Sequence, residues 1–105
     1  MEHRPRTIRS YRTANGANPY RDWINGLAHK RAGQVRVRLD RIAEHGHFGD
    51  CEPVGNGVFE LKFRSGLRVY FGHDGDDVIL VAGGNKGTQA ADIVKAKEYW
   101  SDYNA

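Results

Sequence analysis

Glu60 and Lys62 alternate with Phe59, Leu61 and Phe63, and a few residues on Arg68 and Tyr70 alternate in the same way with Leu67, Val69 and Phe71. Arg64 lies between the two segments and Lys86 follows later in the chain. In two adjoining strands the polar members of both sets converge on one face. Carboxylate, lysine, arginine and tyrosine are the side-chain types that cleave RNA without a metal. The reaction needs a base for the ribose 2′-hydroxyl, cations for the pentavalent phosphorane and an acid for the leaving oxygen. Glu60 is one candidate base. A Lys62 with a depressed pKa is another, because an arginine directly opposite disfavours its protonation. Arg68 and Lys86 would hold the phosphate. The plainer alternative is an exposed face dressed with solubilising charges. Like charges directly opposite cost stability, however, which argues that Lys62 and Arg68 are kept for a partner.

Two strands, Val58 to Phe63 and Leu67 to Phe71, must position these groups. If both apolar sets share one face, the short loop Arg64-Ser65-Gly66 sets Lys62 opposite Arg68, Glu60 opposite Tyr70, Leu61 opposite Val69 and Phe59 opposite Phe71. Upstream, Asn18-Pro19 is a cap and first-turn proline, followed by Tyr20, Trp23, Ile24 and Leu27 at helical spacing. His29 to His45 contains a strand-like Val35-Arg36-Val37-Arg38-Leu39, but its length and the terminal Gly46 predict a helix. Thr7 to Thr13 is a short strand candidate, and Gly46 to Gly57 reads as a loop. Val78 to Ala82 is apolar throughout, as in a central strand covered on both faces. Thr88 caps a last helix with an apolar stripe of Ile93, Ala96, Trp100 and Tyr103. The expected order is β-α-α-β-β-β-α: an α+β domain over residues 1–105, its antiparallel sheet carrying helices on one side.

The chain holds 105 residues, too few for a multidomain enzyme. Its +3 charge is unevenly spread. Residues 1–41 hold ten Lys/Arg against three acids, and residues 42–105 hold six against ten. Eleven of the sixteen basic residues are arginine, whose planar fork matches phosphate, so a polyanionic partner is expected. A single cysteine, Cys51, fits a reducing cytoplasm, and no apolar run is long enough for a membrane. His45, His47, Cys51, Glu52 and His73-Asp74 match no standard zinc spacing, so no metal and no other cofactor is expected. Gly83 to Thr88 lacks the GxxxxGK[ST] spacing of a nucleotide-hydrolysing loop, although free N–H groups at the helix start beside Lys86 would suit one RNA phosphate.

The segments GVFELKFRSGLRVYF and VILVAGGNKGTQAADIVKAKEYW resemble the second half of RelE/HigB-type toxins of bacterial toxin-antitoxin modules. The similarity is to the HigB-like, phage Gp49-related "addiction module killer" branch. It extends over about residues 19–103, with Tyr20-Arg21-Asp22-Trp23-Ile24 as the first-helix element. Its specific part is Glu60-Leu61-Lys62, Arg68-Val69-Tyr70-Phe71, Gly84-Asn85-Lys86 and Gln89 with Asp92-Ile93. The resemblance implies a small RelE-like α+β fold and metal-free mRNA cleavage, usually in the ribosomal A site. It also implies a neutralising antitoxin, in this branch usually a helix-turn-helix DNA-binding protein. By position Lys62, Arg68 and Lys86 match the family's cations. Glu60 stands where RelE has a lysine, and Asp92 lies in the stretch where RelE has its tyrosine. Arg64 and Tyr70 are expected to touch the mRNA, and Arg31, Arg38 and Arg41 on the second helix to bind ribosomal RNA. ParE-type toxins of the same fold, which inhibit DNA gyrase by binding, are the alternative from another class. A non-catalytic RNA-binding module is the third.

Overall fold

Asn18 opens the first helix, accepting a hydrogen bond from the Arg21 N–H at 3.0 Å, with Pro19 in the first turn where no N–H is needed. This helix, α1, spans Pro19–Asn25 and is followed by α2, His29–His45, which ends at Gly46 in the left-handed conformation (φ 71°). The computed structural model describes residues 3–105, so the first two residues of the expected domain lie outside it. The strands are β1 (Ile8–Ser10), β2 (Cys51–Gly55), β3 (Val58–Lys62), β4 (Leu67–Asp74) and β5 (Asp77–Asn85). A single 3₁₀ turn, Lys86–Thr88, leads into α3, Gln89–Tyr103.

One five-stranded sheet has the order β1-β5-β4-β3-β2. The β3–β4 register places Lys62 opposite Arg68, Glu60 opposite Tyr70, Leu61 opposite Val69 and Phe59 opposite Phe71, as the alternation requires. Three features differ from the expected layout. Part of the Gly46–Gly57 loop is the strand β2, whose Pro53 and register shift are tolerated because it lies at the edge of the sheet. β1 pairs in parallel with β5, so the sheet is mixed. The helices lie on both faces.

α1 and α2 cover one face. Tyr20, Ile24, Ala32, Val35 and Ile42 there pack with Leu61, Val69, Phe71, Val78 and Leu80. α3 covers the other, where Ala96 and Trp100 pack with Val58, Tyr70, Ile79 and Val81. The unbroken apolar run of β5 demands two covers, and its alternate residues supply both cores. Each face brings a tryptophan onto a sheet glycine. A Cβ on Gly83 would come within 2.0 Å of the Trp23 ring, and one on Gly72 within 2.5 Å of Trp100. The face bearing Glu60 and Tyr70 is therefore core and not an open surface.

Candidate active site

Glu60 lies in the middle of β3 beneath the first turn of α3 and is fully buried. Its Oε2 accepts hydrogen bonds from the Tyr70 hydroxyl and from the Gln89 side-chain amide, both at 2.8 Å. The Arg68 Nε stands 4.0 Å from the same oxygen. Glu60 Oε1 and Arg68 Nε are buried without hydrogen-bond partners, so this carboxylate and guanidinium compensate each other chiefly through charge. Tyr70 is equally buried, and burial together with the Glu60 carboxylate drives its hydroxyl far above the usual tyrosine range. Neither residue is the exposed group that alternation suggested, because α3 closes over them. Tyr70 belongs to this network and does not form part of an RNA-facing surface. Gln89 completes it, a residue marked in the sequence only by the family resemblance.

Arg68 leads from the buried network to solvent. Its Nη1 donates to the carbonyls of Leu67 (2.9 Å) and Phe63 (3.4 Å), while Nη2 has no hydrogen-bond partner among the described residues. The residue lines a cleft of about 410 Å³ together with Arg38, Asp50, Lys62, Phe63 and Arg64. Four cations thus surround one carboxylate. Lys62 pairs with Glu52 of β2 at 2.5 Å, and this contact raises its pKa, with Glu60 and Asp50 adding to the effect. The expected depression by Arg68 is reversed because the unforeseen strand β2 brings in an acid. Lys62 is therefore a protonated group at neutral pH.

The side chains of Arg64 and Lys86 have no hydrogen-bond or ion-pair partner among the described residues. Lys86 stands beside the β3–β4 turn, its N–H donating to the Gly66 carbonyl at 2.8 Å. Arg31 reaches the same turn at the Ser65 carbonyl (3.5 Å). The N–H groups of Gly87 and Thr88 are not open to a phosphate, because the Asn85 side chain already accepts both. Asn85, and not Thr88, supplies the cap, and the Thr88 hydroxyl turns to Asp92.

Arg38 departs furthest from its expected role. Its guanidinium donates to the carbonyls of Phe48 (2.8 Å), Lys62 (3.0 Å) and Asp50 (2.8 Å) and lies 4.7 Å from the Phe63 ring centre. It clamps the segment after α2 onto the end of β3, so it is a structural arginine and not a free ligand for ribosomal RNA. Arg31 and Arg41 remain exposed. Among the described residues, no group of three or more His, Cys, Asp or Glu side chains is placed to hold a metal, and no helix is long and apolar enough to cross a membrane.

Residues 22–99 match the family described as phage derived protein Gp49-like. The chain belongs to this family of addiction-module killer proteins. The match takes in α2, all four strands of the antiparallel part of the sheet and most of α3, and hence every residue of the buried network and of the cleft. A Haemophilus influenzae protein with the name "Uncharacterized protein" is 40% identical over 79 residues, which span 71% of this chain and 79% of its own.

Proposed function

We propose that this Gp49-like protein is the toxin of a toxin-antitoxin module and a metal-independent endoribonuclease that cleaves mRNA on the ribosome. The observation that carries this reading is the cleft at the end of β3 and β4, where Arg64, Arg68 and protonated Lys62 line one depression with Asp50, and Lys86 stands beside the β3–β4 turn. Such a concentration of fixed cations suits a phosphate that gains negative charge in the transition state. Asp50, the one carboxylate lining the cleft, takes the 2′-hydroxyl proton, and the 2′-oxygen attacks phosphorus. Arg68, Arg64 and Lys86 hold the phosphorane oxygens. Lys62 gives a proton to the departing 5′-oxygen, leaving a 2′,3′-cyclic phosphate. Glu60 acts through Arg68: its buried negative charge keeps the guanidinium in place at the edge of the cleft. A neighbouring antitoxin restrains the activity.

Induced expression followed by mapping of mRNA 5′ ends tests this reading. Wild-type protein should arrest growth and create new 5′ ends. Asp50→Asn and Lys86→Ala change exposed side chains and should leave the protein folded. Loss of one such group should slow cleavage of RNA by the purified protein by on the order of 10²-fold. Arrest with unaltered mRNA ends and accumulating DNA breaks would overturn the nuclease and point to gyrase.

A further inference from the structure

On the side of the sheet covered by α1 and α2, away from Glu60, lies a second recess of about 410 Å³, a size within the range of small-molecule sites. Phe48, Phe59, Phe71 and His73 form its wall. Phe48 and Phe59 each stack on the buried Phe71, with ring centres 5.4 and 5.5 Å apart and planes within 23° of parallel. His73 meets all three edge-on at 5.1–5.8 Å. Phe48 and Phe59 are only half-buried and so keep ring surface available. Arg6 sits over Phe48 at 5.6 Å, and its Nε is buried with no hydrogen-bond partner. The recess therefore combines planar apolar surface with the cationic side chain of Arg6.

Its position gives the recess a partner. A depression of about 450 Å³ between it and the cationic cleft shares Gly49 with the recess and Arg38 and Asp50 with the cleft. Arg41 and His47 line this middle stretch. Phe59 of the recess and Phe63 of the cleft project from the same side of the β3 segment, four residues apart, a distance of roughly 13 Å. The three depressions follow one another along the α2–β2 connection as a track of aromatic and basic groups. That combination suits single-stranded nucleic acid, whose bases stack on rings while its phosphates follow cations.

We propose that the Phe48–Phe59–His73 recess is a nucleobase subsite for single-stranded RNA, holding an unpaired base near the phosphate bound in the cationic cleft. This rests on the ribonuclease reading and adds a source of sequence preference to it. Arg6 is the donor that meets a base carbonyl or the adjoining phosphate. An apolar side chain of a protein partner would use the rings equally well, but it would have no use for the Arg6 charge or for Arg41 along the track.

The test uses purified full-length protein and short RNAs blocked at every 2′-oxygen by methylation, with 2-aminopurine placed at each position in turn. One position next to the cleft should show quenched fluorescence. Phe48→Leu keeps apolar volume but removes the ring, and should abolish the quenching and weaken binding roughly tenfold, within the range for one stacked base. Arg6→Gln, which leaves the aromatic wall intact, should weaken the same position and serves if Phe48→Leu fails to fold. Binding that falls with Lys86→Ala yet is indifferent to both recess variants, with no quenched position, would overturn the subsite and leave the nuclease reading standing. Absence of any RNA binding by the wild type would overturn both.

Discussion

A charge buried beside an arginine acts on that arginine before it acts on any substrate. Glu60 has no exposed atom through which to reach RNA, but its Oε2 lies 4.0 Å from the Arg68 Nε. Tyr70 and Gln89 fix the carboxylate, so the guanidinium is held from three sides with little freedom to lose on binding a phosphate. His73 is the other residue whose surroundings set its ionisation. Packing against phenylalanines shields part of its otherwise exposed ring from water, and this partial desolvation, with the Arg6 charge, lowers its pKa below the ordinary value. In the unfolded chain the imidazole takes a proton near pH 6.5, before the folded protein does. The unfolded state thus binds more protons in that window, and stability falls as pH drops from about 6.5 toward the lower folded value. Urea midpoints at pH 7.5 and 5.5 should show this loss in the wild type, and a smaller loss in His73→Gln. Equal losses would exclude His73 as the source.

At the scale of the elements, the Arg38 clamp is what joins α2 to the end of the sheet that bears the cationic cleft. Its three bonds to carbonyls are charge-assisted, a kind worth roughly 1.5–3 kcal/mol each when isolated and less than additive together. Arg38→Met should cost about 2–4 kcal/mol in urea unfolding, whereas exposed Arg41→Met should change stability by no more than about 0.5 kcal/mol. Equal effects would refute the clamp. Arg38 and Arg41 look alike in sequence, since each is one of a series of arginines on a helix, and only the fold shows that one faces three carbonyls. The elements that were legible carry strong local signals: Asn18-Pro19 for α1, the seventeen-residue run ending at Gly46 for α2, and the paired alternations of β3 and β4. β2 carries none, because Cys-Glu-Pro-Val-Gly neither alternates nor favours a strand. The same alternation that fixes the β3–β4 register hid the burial of Glu60 and Tyr70. Polar residues on every second position ordinarily face water, and here they face a helix. Gly72 and Gly84 hold the missing signal, since bare positions within strands mark places where something presses close, here Trp100 and Asp92 of α3.

Across the whole molecule, cations and acids are divided. Arg31, Arg36 and Arg41 are exposed along α2, where Arg31 touches the β3–β4 turn and Arg41 borders the track between the two clefts. The helix thus extends the cationic surface beside the cleft and does not form a remote patch. Each phosphate neutralised releases counterions, which makes binding depend on salt. Reversing these three residues to Glu, with Arg38 left in place, should abolish co-sedimentation with ribosomes at moderate salt. For a single-stranded RNA the slope of log affinity against log salt should shrink in magnitude by about 2. An unchanged slope would show these charges to be simply solvated.

The parallel pairing of β1 with β5 also orders events in time. Ile8 waits for Val78 before its strand has a neighbour, and Gln89, which holds the Glu60 carboxylate, leaves the ribosome later still. Contacts so distant in sequence form late, after the local β3–β4 hairpin is in place. A nascent chain with the cations of the cleft already made still lacks the strand that completes the sheet and the helix that steadies Arg68. If mRNA on the ribosome is the target, the machine that makes this protein is spared by it until β5 and α3 have emerged.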